Sequence, residues 1–434
     1  MKRVDEPTSP ETAVSPELAS EASSHLAINE IAVLIVLAAV QLANILDFMI
    51  VMPLEPALQK FFTMTPKQFG LIVSSYTFSA CIVGLLAALV IDRFDRKTAL
   101  LVLVTGFTLG TLSCGLARSF NMLLLARVVT GAFGGVLGAL IYAVVGDIFP
   151  DSRRGRATGA LMSAFALASV AGVPFGLVLG NRYGWQAPFF FLAGLGALVG
   201  IASVIVLPPL RGHFTKASER HPAAELWSLI VEPNHLRAFA LMVAMMLGTF
   251  MVIPFLGAAM VYNAGVSEAD LPWLYVLGGA CALVSSPLVG RWADRRGKLP
   301  VYRIMAVLSV LPIIAMTNMP RLPLAAAMMI TASLMVFNSA RSVPAMALIT
   351  ASVEPARRGG FLSVNAAIQH GAIAVGSLLA GVMVTQKAPG TPLIGYSLVG
   401  VIAVISTLLS LPLAGRLRAA KGGLDAVDEI DELQ

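Results

Sequence analysis

The sequence predicts an all-α integral membrane protein of twelve membrane-spanning helices in two six-helix halves, and three observations predict it. Hydrophobic residues fill 57% and charged residues only 12% of the 434 positions, roughly half the charged share of a soluble domain. A soluble globule of this length has too little interior to hide so much apolar surface. The apolar residues also fall into twelve continuous runs, each close to the ~20 residues that carry a helix across a bilayer. Finally, one long polar interruption divides these runs six and six.

The first six runs lie at about 28–51, 68–91, 98–117, 120–148, 156–180 and 187–208. The second six lie at about 238–263, 270–293, 300–318, 322–350, 360–384 and 392–414. This gives an N-terminal half at 28–208, a linker at 209–237 and a C-terminal half at 238–414. The tails are 1–27, read as disordered from its Pro, Ser, Thr and Glu content, and 415–434. Within the linker, which carries Arg211, Lys216 and Arg220, the stretch Ala223 to Val231 reads as a short amphipathic helix on the membrane surface.

Composition also excludes several classes. Three cysteines, all in apolar runs, form neither a disulfide framework nor a CxxC metal clip, and no metal or cofactor is expected. The net charge of +6 comes from short basic clusters between apolar runs, which orient a membrane protein and do not build a nucleic-acid face. Continuous runs argue against the period-two alternation of a membrane β-barrel. The first 27 residues lack the basic and apolar regions of a cleavable signal peptide. Of the 30 Lys and Arg, 22 fall in the tails and the even-numbered connections, and six in the odd-numbered ones. That bias predicts that both termini are cytoplasmic.

An internal repeat supports the halving. Asp92-Arg93-Phe94-Asp95-Arg96-Lys97 follows the second run, and Asp294-Arg295-Arg296-Gly297-Lys298 follows the eighth, about 202 residues later. Pro150 and Arg154-Gly155 before the fifth run correspond to Pro355 and Arg358-Gly359 before the eleventh. Two parallel six-helix repeats around a midplane cavity are a transporter architecture.

With these motifs, the chain from about Ile28 to Ala414 resembles the major facilitator superfamily, particularly its twelve-helix drug:proton antiporter and sugar-efflux branch. The segment Ala88 to Lys97 is similar to that family's Gly-x-Leu-Ala-Asp-Arg-x-Gly-Arg-Lys loop, with Ala88 and Asp95 where the family has glycine. The second copy, Gly290 to Lys298, keeps both glycines. The resemblance implies a conformational latch built from Asp92, Arg93, Arg96, Asp294 and Arg295. Asp92 would engage the start of the eleventh helix and Asp294 the start of the fifth, where a helix dipole favours negative charge. Arg127 to Gly131 resembles the family's Arg-x-x-x-Gly pattern on helix 4. Gly172-Val173-Pro174-Phe175-Gly176 resembles its helix 5 antiporter motif, interrupted by Val173. Gly131, Gly172, Pro174 and Gly176 are accordingly read as a helix-packing set.

Asp47 is the clearest acid well inside a predicted span. An intramembrane carboxylate is costly and marks a functional site with a partner. Arg127 can supply that partner, because helices 1 and 4 are neighbours in the family fold, and Asp47 with Arg127 is read as a proton-coupling pair. A purely structural ion pair is the competing reading. Glu55, following Pro53, is read as a residue of the outer rim. Gln41, Asn44, Asn338, Arg341, Asn365 and Gln369 are candidates for a substrate cavity, with interhelical hydrogen bonding explaining them almost as well.

The function expected is secondary active transport: proton-coupled efflux of a small organic solute or drug by alternating access. The alternatives are a proton-coupled uptake permease, a narrow metabolite or sugar exporter, and a transport-inactive membrane sensor. No enzyme is expected, since no nucleophile–base pair or histidine–carboxylate ligand cluster is visible. The partners expected are a small-molecule substrate, the proton and the lipid bilayer, with no nucleic acid; the chain is expected to be a monomer in the inner membrane.

Overall fold

The computed structural model describes residues 29–210 and 222–420. The expected disordered tail, the linker residues Arg211, Lys216 and Arg220, and the closing tail beyond residue 420 lie outside these. Among the described residues, twelve helices are long and apolar enough to span a membrane. They are α1 Glu30–Ile50, α2 Pro66–Ala88, α3 Arg96–Gly115, α4 Phe120–Ile148, α5 Arg153–Tyr183 and α6 Ala187–Val206. The second half follows with α7 Pro233–Asn263, α8 Glu268–Arg296, α9 Lys298–Thr317, α10 Leu324–Ala351, α11 Arg358–Met383 and α12 Tyr396–Gly415. Two shorter helices, Glu55–Phe62 and Pro222–Val231, lie outside the spans.

Local sequence explains where the spans begin. Asn29 caps α1 by accepting from the Ala32 N–H at 3.1 Å. Thr65 and Gln68 form a reciprocal capping box at the start of α2, with Pro66 in its first turn. Asp95 accepts from the N–H groups of Lys97 and Thr98 and caps α3. This explains an aspartate where the family loop has glycine. Three spans are irregular near proline, which removes a backbone donor, and one of them, α9, is broken at Ser309, three residues before Pro312. In α7 a 3₁₀ turn, Ile253–Phe255, contains Pro254, and a π turn follows at Ala259–Asn263. In α5 a π turn at Ala168–Gly172 precedes Pro174.

Twelve spans place both chain ends on one membrane face, here the termini face; the other is the far face. The apolar cores show how the halves meet. One core is shared, running from Leu46, Ile50 and Leu58 of the first half to Phe255, Leu274 and Tyr396 of the second. These residues lie at the far-face ends of their helices. Toward the termini face the core divides. Val33, Leu37, Leu100, Leu140 and Val144 form one part, and Met242, Tyr302, Ile349 and Phe361 form another. At the seam α2 lies along α11, and α8 packs on α5. A Cβ built on Gly70 would lie 2.9 Å from the Gly381 Cα, so glycine on both helices allows them to touch near the far face. At the termini face, by contrast, Gly155, Gly159 and Gly359 have open space around them. The halves share a core at the far face, and their cores are parted toward the termini face.

Candidate functional site

Asp47 sits three residues before the end of α1 and is fully buried. Arg127 of α4 is 1% exposed, and its Nη1 donates to Asp47 Oδ2 at 2.7 Å. Thr111 of α3 donates to the other carboxylate oxygen, Oδ1, at 3.0 Å. The Tyr76 ring of α2 lies under the guanidinium, 4.3 Å from Cζ to ring centroid, a cation–π contact strengthened by exclusion of water. Four helices of the first half thus converge on one ion pair. Asp47 and Arg127 are brought into direct contact, with three aids the sequence did not reveal: Thr111, Tyr76 and the enclosing core.

The candidate cavity residues divide by what they touch. Asn44 donates to Gly134 O at 3.1 Å and accepts from Tyr76 Oη at 3.2 Å, clamping α1 to α4 and α2. Asn338 accepts from Arg341 Nη2 at 3.0 Å and from Thr249 at 2.9 Å. Gln41 and Asn365 are buried, and the carbonyl oxygen of each has no partner among the described residues. Gln369 is half-buried. His370, beside it on α11, has a buried Nδ1 with no partner there.

Arg341 of α10 is 1% exposed and meets only neutral groups. Its Nη1 donates to Thr407 at 2.9 Å and Ser309 at 3.4 Å, and its Nη2 to Thr249 at 2.7 Å. No carboxylate pairs with it among the described residues. Beside it a cavity of about 10 Å³, bordered by Gly248, Thr249, Ile313 and Leu334, has room for roughly one water.

The expected latch residues are dispersed. Arg96 pairs with Asp147 of α4 at 3.3 Å, inside its own half. Arg93, Asp294 and Arg295 are exposed. Asp92 lies in the turn Ile91–Arg93, between α2 and α3. Arg154, at the start of α5, donates to Gly146 O at 3.0 Å. Arg153, beside it, pairs with Glu30 of α1 at 2.9 Å, inside the same half.

The helix 5 glycines do meet a partner. A Cβ on Gly172, Gly176 or Gly180 would lie 2.9, 2.5 or 2.9 Å from the side chains of Leu46, Ile50 and Leu54 respectively. The stripe on α5 thus receives a ridge of leucine and isoleucine around Asp47, and Pro174 is buried beside it. Gly131 is tighter, since its Cβ would fall 2.1 Å from Tyr76 O, so α4 and α2 touch through backbone.

Glu55 corrects the sequence reading. Expected at the rim, it is fully buried, in the first turn of the Glu55–Phe62 helix against the broken end of α7. The residues Pro53-Leu54-Glu55 resemble an ordinary interface turn, and the chain that covers them comes from the other half.

A polytopic, two-half membrane protein with a buried charge pair in one half is the architecture of a secondary carrier. The chain belongs to the Major Facilitator Superfamily, whose sequence model matches residues 37–256 and 238–429. It is 27% identical over 373 residues to the MFS-type transporter YwfA of Bacillus subtilis (strain 168), covering 84% of this chain and 87% of that one. It is 26% identical over 231 residues to the chloramphenicol efflux pump MT0201 of Mycobacterium tuberculosis (strain CDC 1551 / Oshkosh), covering 52% of this chain and 54% of that one. Among solved structures, the fold is similar to a D-xylose-proton symporter, with a TM-score of 0.72 at 15% identity over 90% of this chain and 99% of that one. The protein is a multi-pass membrane protein of a family of secondary transporters that bind small molecules within the membrane.

Proposed function

We propose that this transporter expels a small organic solute or drug from the cell in exchange for protons, as a monomer in the inner membrane with both termini cytoplasmic. The observation that carries the reading is the Asp47–Arg127 pair, held by α1, α3 and α4 with Tyr76 of α2 beneath it. Proton binding at Asp47 neutralises the carboxylate and frees the Arg127 guanidinium, which then needs other acceptors. That rearrangement acts on α1 directly beneath the Gly172, Gly176 and Gly180 stripe of α5. It therefore reaches a helix that packs against α8 of the other half.

The basic face is taken as cytoplasmic, so the parted state is open inward. Asp92 and Asp294, with Arg93, Arg96 and Arg295, would close that side in the opposite state. Gln41, Asn365 and Gln369, whose polar groups are not all spent on the protein, would contact solute. With few fixed charges there, a neutral or amphipathic cationic solute fits better than a phosphorylated one. The efflux direction is supported by the likeness to the chloramphenicol pump and by the glycine stripe. The interruption at Val173 favours a second reading, proton-coupled uptake. The reading assigns no catalytic activity.

The test is solute tolerance in an efflux-deficient bacterial host expressing wild type or Asp47→Asn at equal levels. Protection by wild type that disappears in the variant is expected. Equal protection by both would move the coupling site elsewhere, and no protection across a broad panel would favour uptake.

A further inference from the structure

Glu55 is an acid that the Asp47–Arg127 pair does not use. It lies beyond α1 and before α2, at the seam where the Glu55–Phe62 helix meets the resumed end of α7. Its carboxyl has no cation among the described residues: Lys60, on the same helix, points outward at 61% exposure and pairs with Glu268 of the other half. Oε1 accepts from Gln59 Nε2 at 2.9 Å, one helical turn on. Two buried oxygens then have no partner among the described residues, Oε2 of Glu55 and Oε1 of Gln59. A carboxylic acid and a primary amide satisfy each other through two hydrogen bonds, N–H to one oxygen and O–H to the amide oxygen. The structure shows the first bond and both orphaned oxygens of the second. One hydrogen is missing, and a proton on Glu55 supplies it.

The surroundings agree. Around the carboxyl stand Tyr262 of α7, Tyr275 of α8 and Tyr396 of α12, all close enough to feel its charge. One neighbour acts the other way: the Ala258 N–H of α7 approaches the carboxyl and favours its ionised form, by less than burial disfavours it. None of these side chains carries positive charge. Tyr396 gives its hydroxyl to Val252 O at 2.9 Å, and Tyr262 Oη has no partner among the described residues. Glu268 also lies near Tyr262 and adds negative charge. Burial pushes the Glu55 carboxyl well above its ordinary range.

We propose that Glu55 is a second proton-binding site, protonated while the far-face seam is closed and releasing its proton to the far side when the seam opens. The cover is supplied by the other half. Pro53 and Met52 pack against Gly257, and the Lys60–Glu268 pair and an Asn181 to Glu268 O bond of 3.0 Å also cross the seam. Parting the halves there admits water, which stabilises the carboxylate, and the proton leaves to that water. Reclosing requires a proton again, because an ionised Glu55 would be buried with no counter-charge. The proposal rests on the alternating opening of the proposed function but not on Asp47.

The test uses the full chain in lipid nanodiscs and infrared difference spectra across pH. Wild type should show a protonated-carboxyl stretch near neutral pH that is lost in Glu55→Gln and kept in Asp47→Asn. In parallel, a cysteine-free background carrying spin labels at Lys67→Cys and Lys387→Cys, both exposed on the far face, reports the seam. Its distance should lengthen as pH rises and the carboxyl band disappears, and Glu55→Gln should hold it short at every pH. A band unchanged by Glu55→Gln, or a distance in that variant that still follows pH as wild type does, overturns the proposal. Should Glu55→Gln not fold, Glu55→Asp, which withdraws the acid from the Gln59 amide, must shift the band, and an unshifted band overturns it equally. Neither readout is transport, so failure here leaves the Asp47 reading standing, and failure of Asp47→Asn to alter solute tolerance leaves this one standing.

Discussion

The two halves each bury one arginine in a corresponding span, and they treat it differently. Arg127 on α4 and Arg341 on α10 are both 1% exposed. Arg127 has the Asp47 carboxylate at 2.7 Å. Arg341 has Thr249 at the same distance, with Ser309, Asn338 and Thr407 completing its shell. Asp47 and Thr249 are themselves about 202 residues apart, the offset of the internal repeat. The repeat thus places an acid in one half and a hydroxyl in the other at matching positions. A hydroxyl satisfies the guanidinium's hydrogens but neither neutralises its charge nor titrates near neutral pH. Only the first half sets a carboxylate against its arginine at this position, while the second holds its cation with dipoles.

The largest way to break that asymmetry is to remove the acid. Asp47→Asn leaves Arg127 buried without a counter-charge, which should cost about 3–5 kcal/mol in detergent unfolding and abolish proton-driven transport. Adding Arg127→Gln should restore most of the stability without restoring transport. A single variant as stable as wild type would show that the pair does not carry this energy.

A second change tests whether the pair's walls are rigid. Gly131→Ala brings a Cβ to 2.1 Å from Tyr76 O, a backbone atom that cannot yield without moving α2. Overpacking of this kind should cost about 1–3 kcal/mol. Gly172→Ala meets the flexible end of Leu46 and should unfold closer to wild type. Equal melting of the two would undo the distinction between backbone and side-chain contact.

The comparison is sharpened by making the second half resemble the first. Thr249→Asp supplies Arg341 with a carboxylate and should raise the melting temperature. Thr249→Val removes an acceptor and should lower stability by about 1–3 kcal/mol. If both variants lower it alike, Arg341 does not need a counter-charge. The smallest effect is expected at the far-face rim, where the Lys60–Glu268 pair is solvent-exposed. Lys60→Ala should change stability by about 0–1 kcal/mol, and less at high salt.

Much of this organisation was legible in the sequence, because the bilayer imposes it locally. A span needs about 20 apolar residues whatever its neighbours, so twelve runs gave twelve helices. Irregularities at Pro254 and Pro174 follow from a missing donor. Asp47 and Arg127 stood out for a similar reason, since charges inside apolar runs are rare and need partners. What remained hidden were contacts made by chain distant in sequence. Glu55 follows Pro53 in a stretch that resembles an interface turn, and it is buried where its helix packs against α7 of the other half. Arg341 gave no sign of its hydroxyl shell, because Thr249, Ser309 and Thr407 come from three separate helices.

The sequence by itself therefore determined the class of the protein, the number of its helices, their division into halves and the charges that must be accounted for. The tertiary structure decided which charges are paired, which are merely solvated by dipoles, and which acid is sealed at the seam. The reason is physical: crossing a bilayer is a demand on each segment's own composition, whereas the cost of a buried charge depends on what other segments bring to within a few ångströms of it.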